Sequence, residues 1–409
     1  MKMRYLIFGT FAFYSYFAKS QSTDSSATQK KINKTEIEVL YSHYLQDGDN
    51  SAVTGGIGTE KLTVYAPGIY LKRTVGKNSF SIKGGIDIIS SASTDNIDYV
   101  VSSASRLDAR TYANLDYSRT LKNEKFAISG GAGFSIESDY FSRAVRLGGE
   151  FSPSNKMRSY FVNVQMFFDD LRWGRLNWEH RKPVKLIYPS ELRDKEWFTV
   201  HNRNTYALNS GLTQIINKRN VVGVFLELIY QKGLLSTPFH RVYFSDSTLV
   251  VENLPNNRLK GVLGFKWNSF VGGRTISRNV LNVYMDDFGI IGLAAENETV
   301  IKISPRFSLG PHLRFYLQQG SRYFAPFMEH RPTENYFTSD FDLSKFRTYI
   351  FGFSGRYTPN VYMGKKLLFN NITIRYSYFK RSNRLHAHII TLSFNATFNN
   401  SDNTSGDKK

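Results

Sequence analysis

Apolar and polar positions alternate in segments of about ten residues along most of the chain. The final segment shows the pattern best. One of its faces is formed by Ile390, Leu392, Phe394, Ala396 and Phe398, and the other by Ile389, Thr391, Ser393, Asn395 and Thr397. A two-residue period indicates a β-strand with one apolar face. No helical segments interrupt the repetition, so the pattern predicts an all-β protein.

The periodicity predicts sixteen strands. We place them at 35–45, 60–74, 79–90, 108–120, 124–137, 140–153, 156–168, 203–216, 219–231, 259–270, 274–285, 297–307, 311–319, 345–357, 366–379 and 385–398.

The links between these strands alternate in length. Even-numbered links are mostly short and rich in turn residues, as at Gly76-Lys77-Asn78, Lys122-Asn123, Ser154-Asn155, Asn217-Lys218-Arg219, Gly272-Gly273 and Leu309-Gly310. The long links are odd-numbered, at 46–59, 91–107, 169–202, 232–258 and 320–344. Outer-membrane barrels have short periplasmic turns and longer loops outside. The chain is therefore expected to form a transmembrane antiparallel up-and-down β-barrel, and a soluble extracellular β-protein is the weaker alternative.

The chain divides into four expected segments. Residues 1–20 read as a secretory signal peptide, with a basic start, an apolar stretch and the small-x-small site Ala18-Lys19-Ser20. A disordered periplasmic tail is expected at 21–34, the barrel at 35–398 and a polar C-terminal tail at 399–409. An export signal together with a barrel predicts the outer membrane of a Gram-negative bacterium. The absence of cysteine excludes disulfides and a lipid-modified first residue.

The chain is strongly basic, with a formal net charge of +19. Removal of Lys2, Arg4 and Lys19 with the signal leaves +16. No nucleic-acid-reading motif accompanies this charge. Outer-membrane lipid and phosphorylated glycolipid, or anions within a channel, are the expected partners.

If the apolar faces contact lipid, the polar faces line a lumen. Acidic residues dominate the first half, namely Glu36, Glu38, Asp87, Asp116, Glu137 and Glu150, with Lys83 and Arg146 as exceptions and Glu227 near the middle. Basic residues dominate the second half, namely Lys266, Lys302, Arg306, Arg314, Arg356 and Arg375. One hypothesis is an acidic wall that faces a basic wall and sets solute selectivity. The other is that these residues pair and close the lumen as a salt-bridged plug.

The long links contain aromatic residues, prolines and paired charges, which favour ordered loops. Three tryptophans, Trp173, Trp178 and Trp197, lie among cations and acids in the 169–202 link, for which a solvated, internally paired loop is favoured over a glycolipid contact. The histidines lack zinc spacing, and His386 and His388 form only a weak pair. The run from Asp47 to Ser51 lacks the glycine and glutamate of a calcium loop. We therefore predict no metal, cofactor or catalytic residue, and no enzyme.

Several runs resemble a domain-of-unknown-function family of large outer-membrane proteins common in Bacteroidetes. They are Ser51–Pro67, Ser90–Asp98, Glu137–Tyr140, Phe167–Asp170, Leu234–Arg241 and Thr338–Lys345. The resemblance covers nearly all of the mature chain and implies an outer-membrane barrel, but supplies no activity. Members are often encoded beside a flavin-transferring enzyme and thioredoxin-like proteins, which implies a possible redox-linked envelope complex.

The expected function is the passage of small solutes or ions through a porin-like channel narrowed by a loop. The alternative is a non-conducting barrel whose loops bind a ligand or support an envelope complex. Barrel assembly machinery reads a terminal aromatic residue in many such proteins, whereas here Asn399 to Lys409 follow Phe398. Phe394 and Phe398 are therefore expected to form an internal assembly signal.

Overall fold

The computed structural model describes residues 33–91, 107–122, 124–137, 140–171, 201–237 and 240–399. The expected signal peptide, residues 21–32, the three tryptophans of the 169–202 link and residues 400–409 lie outside the described residues. Within the described ranges, no helix is both long and apolar enough to cross a membrane.

Sixteen long strands form one closed antiparallel barrel, as the periodicity predicts. They are β1 Asn33–Asp47, β2 Leu62–Val75, β3 Asn78–Ser91, β4 Leu107–Thr120, β5 Phe126–Glu137, β6 Tyr140–Phe151, β7 Arg158–Asp170, β8 Asn202–Asn217, β9 Asn220–Gly233, β12 Asn257–Val271, β13 Thr275–Asp286, β14 Ile291–Lys302, β15 Phe307–Gln318, β16 Phe346–Tyr357, β18 Leu367–Arg381 and β19 His386–Asn399. The short strands β10 Arg241–Tyr243, β11 Leu249–Val251 and β17 Val361–Met363 lie in links, as do the 3-10 turns Ala52–Thr54 and Phe341–Leu343.

The barrel closes because β1 pairs with both β2 and β19. Glu38, for example, stands opposite Asn395 of β19 and Tyr70 of β2. Closure satisfies the backbone groups of strands that would otherwise be edges, which a spanning sheet requires in lipid.

The outer face of the barrel is apolar. Large side chains that point away from the lumen remain widely exposed, including Phe351 (52%), Ile374 (57%) and Leu115 (57%). An exposed apolar surface of this kind suits contact with lipid rather than water. Phe394 also faces outward, and its ring stacks on Phe369 with the centroids 4.7 Å apart.

The links separate by length between the two ends of the barrel. We call the end with the odd-numbered links the loop end, where 48–61, 234–256 and 319–345 emerge. The other end, the turn end, carries short links such as 76–77, 218–219 and 272–274, and the nine-residue link 358–366.

The predicted boundaries of two strands were wrong by about five residues. The turn expected at Leu309-Gly310 lies instead at 303–306, and Gly310 pairs with Ser354 inside the barrel. Pro305 lacks the N–H that a strand would use. The hydroxyl of Ser304 accepts hydrogen bonds from the N–H groups of Arg306 (3.3 Å) and Phe307 (3.1 Å), which stabilises the turn.

Candidate functional site

The strand register determines which side chains line the lumen. Directly paired residues in antiparallel strands point to the same face of the sheet. The residues that share one face can therefore be traced from strand to strand around the closed barrel. Arg375 of β18 contacts Glu298 of β14, although β15 and β16 lie between these strands. Side chains can meet across two intervening strands only on the concave side of the sheet. The residues that share a face with Glu298 and Arg375 therefore point into the lumen.

All but one of the predicted wall residues lie on this inner face. In the first half they are Glu36, Glu38, Asp87, Asp116, Glu137 and Glu150, and in the second half Lys266, Lys302, Arg314, Arg356 and Arg375. The placement of Arg306 on the basic wall was wrong. Arg306 is exposed in the turn at 303–306, which Ser304 and Phe307 close, so the β14–β15 ladder ends earlier than the periodicity suggested.

Many inner-wall charges pair with neighbours on the same wall. Arg146 donates to Asp116 (2.9 Å), and Arg110 lies 3.5 Å from Asp87. In the second half, the carboxylate of Glu298 forms salt bridges with Arg278 (2.8 Å) and Arg375. These pairs reduce the contrast between an acidic and a basic wall, because bases lie among the acids of the first half and acids among the bases of the second.

The inner face is more accessible near the turn end than near the loop end. Arg278 and Asp116, toward the turn end, have side chains 30% and 35% exposed. Near the loop end, Arg258 and Asp286 are 9% and 0% exposed, and Arg381 is 2% exposed. The polar lumen is therefore accessible to water from the turn end and occluded toward the loop end.

Three loops form a compact cap over part of the loop end. We define the cap as residues 48–61, 234–237, 240–256 and 319–345. The β10–β11 hairpin contributes Val242 and Phe244 to an apolar cluster with Phe337. A second cluster joins Leu254 and Leu343 to Phe288, in the link between β13 and β14. Burial of apolar surface therefore holds these loops together as it would hold a small domain.

The 48–61 loop packs against the other two loops of the cap at two adjacent glycines. Gly55 and Gly56 have φ values of +82° and +86°, a conformation that other residues rarely adopt. A Cβ on Gly55 would lie 2.7 Å from the Tyr243 ring, and one on Gly56 would lie 2.8 Å from the Ser339 carbonyl oxygen. The close packing of three separate loops thus depends on both glycines.

Polar contacts tether the cap to the barrel wall. Gln318, at the end of β15, donates to the carbonyl oxygens of Asp342 (3.0 Å) and Ser344 (2.7 Å). Arg381, at the end of β18, pairs with the Asp342 carboxylate, and its guanidinium lies 4.9 Å from the centroid of the Phe346 ring. These contacts cross from loop to wall at discrete points.

Two acids of the cap have displaced pKa values. Burial raises the pKa of Glu60 to about 7, and the neighbouring Asp342 carboxylate adds to this effect. Burial is the largest single effect on Asp342 and would raise its pKa, but attraction to Arg381, a hydrogen bond from Arg381 and other nearby positive charge together outweigh it and lower the pKa. Near neutral pH the two acids therefore differ in protonation, because Asp342 stays ionised while Glu60 titrates.

One group of buried side chains in the cap has the donors of a metal site. His240, Glu252 and Asp340 place one ligand atom each within 4.8 Å of one another, and all three residues are buried. Sequence spacing missed this group, because the residues meet only when the cap folds. The available signal was that His240 and Asp340 belong to two of the runs that resemble the family, Leu234–Arg241 and Thr338–Lys345.

Several solved structures of outer-membrane proteins align with most of this chain. OpdK from Pseudomonas aeruginosa is 8% identical, with 90% of this chain and 99% of that chain covered and a TM-score of 0.39. A BenF-like porin from Pseudomonas fluorescens Pf-5 is 10% identical, with 89% and 99% covered and a TM-score of 0.41. OccD3 (OpdP) from Pseudomonas aeruginosa is 9% identical, with 93% and 94% covered and a TM-score of 0.42.

No curated protein sequence matches the chain. A family model does match, over residues 5–383, and its description is "Protein of unknown function (DUF3570)". The match spans most of the chain, from the beginning of the sequence to the last link of the barrel. The chain therefore belongs to the DUF3570 family.

Proposed function

We propose that this protein is an outer-membrane channel of a Gram-negative bacterium that passes small solutes or ions and is narrowed by its cap. The observation that carries the proposal is the gradient of exposure along the inner face. Charged side chains are accessible near the turn end and become occluded under a cap held by a few polar tethers. A polar lumen suits hydrated solutes, and lining charges of either sign bias which ions pass.

The proposed orientation places the turn end in the periplasm and the cap outside, as in other outer-membrane barrels. The apolar outer face would contact membrane lipid, and the basic excess of the chain would suit phosphorylated glycolipid. We retain the opposing acidic and basic walls as a hypothesis for selectivity, without Arg306. Local ion pairs on each wall favour weak rather than strong discrimination between anions and cations.

Conductance in planar bilayers tests the proposal. The folded wild-type protein should give small or infrequent channel events. A variant with residues 322–342 replaced by two glycines should give larger and more frequent ones, because the cap no longer covers the lumen. Heat-modifiable migration in gels verifies that both proteins are folded barrels. Absence of channel events from both folded proteins would exclude conduction.

A second candidate function is supported by the internal packing of the cap. Its apolar clusters and buried polar side chains resemble a folded binding surface more than a simple constriction. In this alternative the barrel does not conduct and the cap binds a ligand or an envelope partner. Silent bilayers together with a specific ligand bound to the cap would favour this function.

A further inference from the structure

We propose that His240, Glu252 and Asp340 bind a divalent transition-metal cation of the Zn²⁺ class and that this ion joins two loops of the cap. His240 Nδ1 lies 3.4 Å from Glu252 Oε1 and 3.8 Å from Asp340 Oδ2. The three side chains are 10%, 0% and 8% exposed. The inference does not depend on whether the barrel conducts.

The backbone of the β10–β11 hairpin brings the first two ligands together. His240 precedes the hairpin and Glu252 follows it, and the Glu252 N–H donates to the His240 carbonyl oxygen (3.0 Å). The third ligand comes from the 319–345 loop. This loop meets the hairpin segment through paired backbone hydrogen bonds between Asn253 and Phe337 (2.7 and 3.1 Å). The ligand geometry therefore rests on regular backbone contacts rather than on side chains alone.

Hydrogen bonds orient both carboxylates toward the histidine. The Thr338 hydroxyl donates to Glu252 Oε1 (2.6 Å), and the Thr237 N–H donates to Glu252 Oε2 (2.6 Å). The Asp342 N–H donates to Asp340 Oδ1 (2.9 Å), while Asp340 Oδ2 faces His240. Partners that fix the orientation of ligand carboxylates are characteristic of metal sites.

The separations fit ligands of a shared ion better than a direct ion pair. Charge-assisted N–H···O bonds are about 2.7–2.9 Å long, shorter than either separation here. Zinc–nitrogen and zinc–oxygen bonds of about 2.0–2.2 Å in a tetrahedron put neighbouring ligand atoms about 3.3–3.6 Å apart. The two separations from His240 Nδ1, 3.4 and 3.8 Å, are close to this range, and all three ligand atoms lie within 4.8 Å of one another.

The donor set selects the class of cation. Imidazole nitrogen with carboxylate oxygen suits zinc and its first-row neighbours. Calcium prefers six to eight oxygen ligands and is a poor partner for imidazole.

Zinc binding to the folded, full-length protein tests the proposal. Protein stripped with a chelator and returned to ZnCl₂ should bind one equivalent in calorimetry and elemental analysis, and CaCl₂ should not compete. Glu252→Gln retains an oxygen that can accept from Thr338 but loses the charge, and it should weaken zinc affinity at least tenfold. His240→Ala should do the same. The cap of wild-type protein should also become more resistant to protease when zinc is added.

Glu334→Gln is the matched control. Glu334 lies in the same 319–345 loop and also pairs with a histidine, His330 (2.6 Å), but it is not part of the three-residue group. This variant should bind zinc as the wild type does. Heat-modifiable migration identifies folded barrels among all variants. The proposal is overturned if folded wild-type protein binds no zinc, or if folded Glu252→Gln and His240→Ala bind it with unchanged affinity.

Discussion

Arg381 of β18 pairs with Asp342 of the cap, and its own side chain is only 2% exposed. The pair joins the wall of the barrel to the loop that covers it. Removing one member of a buried pair leaves the other charged and unpaired, which typically costs about 3–5 kcal/mol. The position of this pair makes local opening of the cap, rather than unfolding of the barrel, the expected consequence of its loss.

Asp342→Asn should therefore release the cap. We expect faster protease cleavage within 319–345 and more frequent channel events in planar bilayers. Arg384→Ala is the control, because Arg384 and Asp49 are 83% and 58% exposed and 4.0 Å apart. An exposed pair of this kind contributes little. Equal cleavage rates in Asp342→Asn and the wild type would contradict a tethering role for the pair.

Glu298→Gln should destabilise the barrel wall. Glu298 is 5% exposed and accepts from Arg278 and Arg375, so its neutralisation leaves two arginines without a charged partner at this position. We expect the free energy of unfolding in urea to fall by about 3 kcal/mol. The reversal potential in a salt gradient should shift toward anions. Glu150→Gln removes an exposed inner-face acid and should leave stability unchanged, so equal losses in both variants would argue against the bridge.

Cap stability should decrease as pH rises toward neutrality. Burial and the Asp342 carboxylate raise the pKa of Glu60 from 4.5 to about 7, so the folded cap holds this proton more tightly than the unfolded loop does. The resulting stability is fully present below about pH 4.5 and is lost as the pH rises through 7. Protease resistance of the 48–61 loop, measured from pH 5 to pH 8, should fall in the wild type. Glu60→Gln should flatten this profile, and an unchanged slope would exclude Glu60 as its source.

Phe398→Ala should reduce insertion into the outer membrane. Phe398 lies near the end of β19, opposite Thr35 of β1 and Leu367 of β18, where the barrel closes. Its loss would remove the last aromatic residue of the proposed assembly signal. The folded fraction is read from heat-modifiable migration of membrane extracts. Phe353→Ala removes an outward-facing aromatic residue elsewhere and should insert normally, so parallel behaviour of the two variants would count against a signal at Phe398.

The strands could be predicted because their cause is local. An apolar outer face and a polar inner face impose a two-residue period on each strand, so Phe351 and Phe353 alternate with inner-face positions. The boundary between β14 and β15 was misplaced because the turn at 303–306 depends on local hydrogen bonds to Ser304, while apolar residues continue with a two-residue period on both sides of it. Proline was no guide, since Pro311 lies inside β15.

For the cap, the sequence predicted that the loops are ordered but not which residues meet. Aromatic and charged residues in the links predicted ordered loops, but the sequence contains no spacing that joins His240 to Asp340. Their proximity depends on the β10–β11 hairpin, on the paired backbone bonds at Asn253 and Phe337, and on Gly55 and Gly56. Contacts of this kind are set by packing between distant segments, which periodicity does not report.

The cap also joins parts of the wall that are not neighbours in the sheet. The β10–β11 hairpin lies between β9 and β12, the 319–345 loop lies between β15 and β16, and Arg381 ends β18. Asn253 and Phe337 connect the first two of these segments, and the Arg381–Asp342 pair connects the last two. The cap therefore couples the β9–β12 side of the barrel to the β15–β18 side, so local opening at the loop end must break contacts on both sides.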